Sequence, residues 1–185
     1  MTHRILTSLV ALALAVGLGA SAAAGQAVAP QAPSRADLLR AAREIMLAAR
    51  YCALITVDDT GRPQARTMDA FPPDEDMVVW MATNPKTRKV AEIRRDPRVT
   101  LYYYDAASQS YVTIAGRARL VDDKIEKQKR WKEEWKGFYP DRDASYLLVA
   151  VTPERLEVLS PSRGIGNDPV TWRPPAVEFG VVKRQ

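Results

Sequence analysis

Beyond a first amphipathic helix the period of this chain changes to two, in short apolar runs with β-branched residues closed by turn-forming residues, and that pattern dictates a sheet built from hairpins. Cys52 to Val57 (CALITV) runs into Asp58-Asp59-Thr60-Gly61; Gln64 to Ala70 runs into the acidic, proline-bearing Phe71 to Asp76; Met77 to Ala82 follows. Val99 to Tyr104 and Ser110 to Val121 are the next strands, with Gly116 a bulge or kink site, and Tyr146 to Val151 and Arg155 to Val158 are the last. Links this short predict antiparallel pairing. Three stretches change to helical spacing. Ser34 and Asp37 form a capping-box pattern ahead of a helix from Arg35 to Arg50; Lys86 to Arg94 is a short helix turned inward at Val90 and Ile93; Asp122 or Asp123 caps a third, to about Lys136, with Gly137 as its stop. Trp131 and Trp135 on that third helix are read as docking it on the sheet. Six or seven antiparallel strands with two or three flanking helices make a mainly β (α+β) fold, a small barrel with helical decoration.

The chain's 185 residues suit one compact domain. Residues 1–24 read as a Sec-type signal peptide: Arg4, an apolar stretch from Ile5 to Ala20, then small residues with cleavage options at Ala22 or Ala24. The apolar stretch sits at the lower limit for a membrane span, so cleavage is favoured over a retained anchor, and the expected location is periplasmic or secreted. The one histidine, His3, leaves with the peptide, so histidine-dependent catalysis and histidine-ligated metals are excluded in the mature chain. The single Cys52 builds no metal site and reads as a small buried hydrophobe. Residues 25–34 are a Pro/Ala linker, 35–160 the barrel domain, and 161–185 an irregular tail broken by proline and glycine. The net charge of +5 is interleaved with acids, which argues against nucleic acid as a partner.

The stretch Thr83-Asn84-Pro85-Lys86-Thr87-Arg88-Lys89 lies where a strand ends and a helix begins. Free helix amides, a hydroxyl and two cations there make a candidate phosphate site, and Arg66 on the preceding strand reaches the same end of the sheet. Together with GRPQAR (Gly61 to Arg66), WMATNPKTRKVAEI (Trp80 to Ile93), DPRVTLYYY (Asp96 to Tyr104) and QSYVTIAGRA (Gln109 to Ala118), these elements resemble the pyridoxamine 5′-phosphate oxidase-like flavin-binding split-barrel superfamily. Asp105 to Val112 (DAASQSYV) resembles its general-stress-protein branch.

The resemblance implies a split β-barrel, a homodimer with two flavin sites at the subunit interface, and flavin mononucleotide (FMN) as cofactor. It implies that Arg66, Thr87, Arg88 and Lys89 hold the phosphate, that Thr83 lies along the flavin, and that the backbone of Thr67, Met68 and Asp69 faces the ring. Gln109 resembles a glutamine that members place near the ring from the other subunit, although it falls two residues early relative to Gly116. True oxidases carry a substrate-phosphate lysine where this chain has Phe71, and an Arg-x-His motif it lacks, so pyridoxamine phosphate is not the expected substrate. The reading is an exported FMN-dependent oxidoreductase acting on an unidentified small molecule. Two rivals stand beside it: a deazaflavin F420-dependent reductase on the same fold, and a non-catalytic binder of flavin, haem or another anionic ligand. Export supports the latter, because a Sec substrate crosses unfolded and must acquire cofactor outside the cytoplasm.

Overall fold

The computed structural model describes residues 32–180. The expected signal peptide (1–24) and the first part of the linker lie outside them. Helix α1 (Arg35–Ala49) opens on the anticipated capping box: the Ser34 hydroxyl accepts from the Asp37 amide at 3.2 Å, and the Ser34 amide donates to the Asp37 carboxylate at 3.3 Å. Its buried face is Leu38, Ala41, Ala42, Ile45 and Met46.

Seven strands follow: β1 (Tyr51–Val57), β2 (Pro63–Asp69), β3 (Val79–Thr83), β4 (Arg98–Asp105), β5 (Ser110–Val121), β6 (Leu147–Leu159) and β7 (Ala176–Glu178). Helix α2 (Arg88–Arg95) connects β3 to β4, and the short helices α3 (Lys124–Lys129) and α4 (Arg142–Ser145) lie between β5 and β6. All pairings are antiparallel, in the order β2-β1-β4-β5-β6-β3, with β7 added beside β6. The two ends of that path meet through one isolated bridge, Ala70 to Met81, beside the Phe71 amide bonded to the Trp80 carbonyl at 2.8 Å. The sheet therefore curls into a barrel that is closed at one point and split beyond it.

The main core is the barrel interior, where Leu54, Met81, Leu101, Ile114 and Leu156 meet the buried face of α1 and Ile93 of α2. Fully burying a side chain of this kind stabilises by about 1.5–3 kcal/mol. A smaller cluster lies outside the barrel, with Trp80, Ala82 and Leu148 covered by Trp135 and Tyr146. All five residues of β3 are consequently buried, alternately toward the two clusters.

Three expectations change. The third helix stops at Lys129 instead of continuing to Lys136, and only a 3₁₀ turn at Glu133–Trp135 follows. Tertiary contacts outweigh the few tenths of a kcal/mol per residue of helix propensity here: the Tyr146 hydroxyl bonds the Arg130 carbonyl, the Arg130 guanidinium lies 3.6 Å over the Trp80 ring, and Trp131 packs edge-on to Tyr146. The two tryptophans do dock this segment, though without a helix between them. The last two expected strands are one, β6, because the chain absorbs Pro153 at a bulge: Ala115 pairs with Arg155 and Gly116 with Pro153, leaving Glu154 unopposed. The tail expected to be irregular from 161 contributes β7, whose Val177 is in the main core.

Gly116 carries that bulge. A Cβ there would stand 2.3 Å from the Thr152 carbonyl oxygen. Gly116→Ala is expected to destabilise by about 1–3 kcal/mol, as overpacking does. Urea denaturation checks this, and a change under about 0.5 kcal/mol would contradict the bulge geometry.

Candidate functional site

The split opens into a cleft of about 630 Å³. Thr67, Met68 and Asp69 of β2 form one side, and Ala82 and Thr83 of β3 with Asn84 form the facing side. Past the Ala70–Met81 bridge the ladder stops, so β2 has β1 on one side and keeps unpaired backbone groups toward the cleft.

One end of the cleft is a polar, cationic corner. The Thr83 and Thr87 hydroxyls are 3.1 Å apart, the Thr87 hydroxyl donates to the Asn84 carbonyl at 2.8 Å, and the Lys89 ammonium donates to the Thr83 hydroxyl at 3.2 Å. Thr87 is the N-cap of α2, yet its side chain makes no capping bond, and no acid occupies the first turn. The amides and the positive end of the helix dipole are left for an anion. Burial holds the Lys89 ammonium below its ordinary pKa, as do its neighbours Arg66 and Arg88, against the pull of Glu92. An incoming anion would relieve that crowding of positive charge.

Glu92 organises the corner from behind. Its side chain is only 3% exposed, and one oxygen accepts from the Thr56 hydroxyl at 2.5 Å and from Arg66 Nη2 at 2.9 Å, while Arg88 Nε stands 2.8 Å from the other. Arg66 also donates to the Thr56 hydroxyl at 2.5 Å and the Leu54 carbonyl at 3.3 Å, and Arg88 donates to the Gln64 amide oxygen at 2.9 Å. Burial pushes the Glu92 carboxyl up, but the Thr56 and Arg66 hydrogen bonds and both guanidinium charges outweigh it and hold it below the ordinary range.

Of the residues singled out from sequence, Thr67, Met68, Thr83, Thr87 and Lys89 line the cleft. Arg66 and Arg88 do not line it: they stand behind its cationic corner, oriented by Glu92, and Arg88 keeps 66% of its side chain exposed. Gln109 lies elsewhere, exposed in the β4–β5 turn at φ 51°, and within one chain it forms no part of the cleft.

Sequence reasoning passed over three contributors. Glu92 was concealed among charges, though its place one residue before the inward Ile93 and four after Arg88 was a usable signal. The far wall is Trp135, from the segment read as helix, with Phe138 and Tyr139 just past its expected stop at Gly137. Asp69 pins it, accepting from the Lys132 ammonium at 2.8 Å and the Trp135 indole at 2.9 Å; burial raises the Asp69 carboxyl, and these two bonds bring it below its ordinary pKa. Phe138, 76% exposed, overhangs the rim. The third is Arg50, at the junction of α1 and β1.

A family model described as pyridoxamine 5′-phosphate oxidase like matches residues 37–164. General stress protein 26 of Bacillus subtilis is 24% identical over 104 residues, which is 54% of this chain and 73% of that protein. Among solved structures, a protein from Clostridium acetobutylicum related to general stress protein 26 superposes with a TM-score of 0.64 at 18% identity, covering 80% of this chain and 97% of its own. A pyridoxamine 5′-phosphate oxidase-related, FMN-binding protein from Nostoc punctiforme does so with a TM-score of 0.57 at 19% identity, covering 82% and 98%. At these identities the solved structures are likenesses of fold.

Glu92→Gln is expected to lower stability by about 2 kcal/mol, less than the 3–5 kcal/mol of a fully buried pair because both arginines reach water. The pH dependence has a definite sign. A carboxyl whose folded pKa is depressed stabilises above its unfolded pKa, near 4.3, and that contribution is lost as pH falls through the folded value. Stability of the variant, measured by urea denaturation, should therefore fall less steeply than wild type below about pH 4. Parallel curves would contradict the charged Glu92.

Proposed function

This chain belongs to the pyridoxamine 5′-phosphate oxidase-like family, and from that premise we propose that it is an exported flavoprotein that binds FMN in the split and works as an oxidoreductase. The observation that carries the reading is the corner itself: Lys89, Thr83 and Thr87 beside the uncapped start of α2, backed by two guanidiniums on one buried carboxylate. Hydroxyls, free amides and cations in one place are the donor set of a phosphate monoester. The FMN-binding Nostoc protein shares the fold, which supports the choice of cofactor.

When bound, the flavin supplies hydride or electron transfer. The chain's own residues bind and orient it. Lys89 and the α2 amides would hold the phosphate, and Arg66 and Arg88 would add charge from behind while Glu92 keeps them in place. The unpaired edge of β2 from Thr67 to Asp69 would meet the polar edge of the ring, and the Trp135–Phe138–Tyr139 wall would exclude water. Phe71 packs edge-on to Trp135 at 5.3 Å and offers no cation, and the described residues contain no histidine. Both facts argue for a substrate other than pyridoxamine phosphate. We further propose that the chain is a homodimer, since Tyr51, Tyr102 and Tyr104 stand exposed on neighbouring strands β1 and β4, and Tyr51 also lines the cleft.

The full chain recovered from the periplasmic or secreted fraction is expected to have lost about 22 to 24 N-terminal residues and to show a flavin absorption band, present on isolation or after adding FMN. Lys89→Ala should raise the Kd for FMN roughly 10- to 150-fold, the effect of deleting a charged hydrogen bond worth about 1.5–3 kcal/mol, and Arg88→Ala, which removes charge from behind the corner, should raise it less, up to about fivefold. A protein that binds no FMN would remove the flavin reading, a deazaflavin band would replace the cofactor with F420, and a retained flavin that no reductant turns over would leave a binding protein. Unchanged Kd values would remove the phosphate assignment. Sedimentation equilibrium should give twice the chain mass, and Tyr104→Asp should reduce it to that of one chain.

A further inference from the structure

Next to the cleft is a second cavity of about 150 Å³, and Arg50 is a wall of both. Arg50 caps α1 at φ 60° and ψ −51°, a conformation that a residue with a Cβ keeps only where its surroundings enforce it. Its guanidinium lies 5.1 Å over the Tyr51 ring and, among the described residues, enters no ion pair. Asp69 is near enough to feel its charge but pairs with Lys132 instead. A strained backbone thus presents a solvent-reaching guanidinium, with no ion-pair partner among the described residues, at the meeting point of two cavities.

Apart from Arg50 and Lys132, the smaller cavity has a largely apolar lining. Met46 and Leu47 come from α1, Phe71, Pro72 and Pro73 from the β2–β3 loop, and Tyr103 from β4. The loop is fixed from the helix side, because Arg43 donates to the Pro73 carbonyl at 3.0 Å and the Glu75 carbonyl at 2.7 Å. Lys132 also borders the cavity, with its ammonium engaged by Asp69 at 2.8 Å and the Ala70 carbonyl at 3.2 Å. Tyr103 contributes the face of its ring, since its hydroxyl is buried against the Cys52 thiol and does not open to the cavity. Burial drives its pKa well above the ordinary phenol value, as does its contact with the Cys52 thiol.

A volume of about 150 Å³ with apolar walls accommodates a single six-membered ring. The Arg50 guanidinium, which enters no ion pair among the described residues, then specifies what the ring carries. We propose that this cavity is a binding site for a monocyclic organic carboxylate, with the ring between Met46 and the Phe71–Pro73 loop and the carboxylate on Arg50. The site does not rest on the flavin reading. Where the cleft does hold flavin, Arg50 sets the carboxylate at the boundary between the two, which is where a substrate would stand.

Methionine-methyl NMR of the full chain separates the two claims, because Met46 lines the small cavity and Met68 the cleft. Titration with benzoate is expected to move the Met46 methyl and leave Met68 in place, whereas FMN moves Met68. Failure of the flavin reading would appear at Met68, and failure of this one at Met46. Arg50→Gly accepts the backbone conformation without a Cβ, so it should keep or raise the Tm while weakening benzoate binding at least about tenfold, the loss of a charge-assisted contact; Arg50→Lys should recover part of it. A Met46 methyl that benzoate does not move, or one that responds equally in Arg50→Gly, would overturn the proposal. So would an equal response to inorganic phosphate, which carries charge but no ring.

Discussion

The bridge between Ala70 and Met81 is the constraint on which the rest of this structure depends. A sheet of this length curls until its ends approach, and full pairing of β2 with β3 would close the barrel and leave no room between them. Here the two strands meet at one point and then part. On one side of that point lies a packed interior of Leu, Ile, Val and Met; on the other lies a cleft whose floor is strand backbone with unpaired hydrogen-bonding groups. The burial of β3 on both faces holds it there, since Val79 and Met81 anchor it to the barrel and Trp80 and Ala82 to the aromatic cluster outside.

Electrostatics in the cleft follow from a single buried carboxylate. Two guanidiniums and an ammonium gathered at one helix start would repel each other and scatter into water. Glu92 binds both arginines, at 2.9 and 2.8 Å, and so keeps a positive field behind Thr83, Thr87 and Lys89 while spending one negative charge. Asp69 does comparable work at the other end, where it fixes Lys132 and Trp135 and through them the aromatic wall. Each acid positions neighbours and makes no contact that requires a ligand.

Much of this was legible in the residues. Period two marked the strands, Ser34 and Asp37 marked the start of α1, and Gly116 marked the bulge. The run from Thr83 to Lys89 was readable as an anion site because hydroxyls, cations and a helix start lie within a few positions of one another. The place of Trp135 in the cleft wall, beside Phe138 and Tyr139, was not legible, since a charged stretch with tryptophans four apart is good helix by local propensity. The preference lost to Tyr146, Trp80 and Asp69, each of which claims one residue of that stretch from a distant part of the chain. Glu92 was hidden for the opposite reason: it looks like a solvent-facing helix residue until Arg66 and Thr56 are brought against it from other strands.

The sequence by itself determined the alternation that makes a sheet, the caps that begin its helices, and the local chemistry of the phosphate-type corner, because these depend on neighbours within a few residues. Tertiary structure alone decided where pairing stops, which acid faces which base, and that Arg50 stands strained between two cavities. Those outcomes depend on contacts between residues tens of positions apart, where the free energy lies in burial and charge compensation that no local spacing encodes.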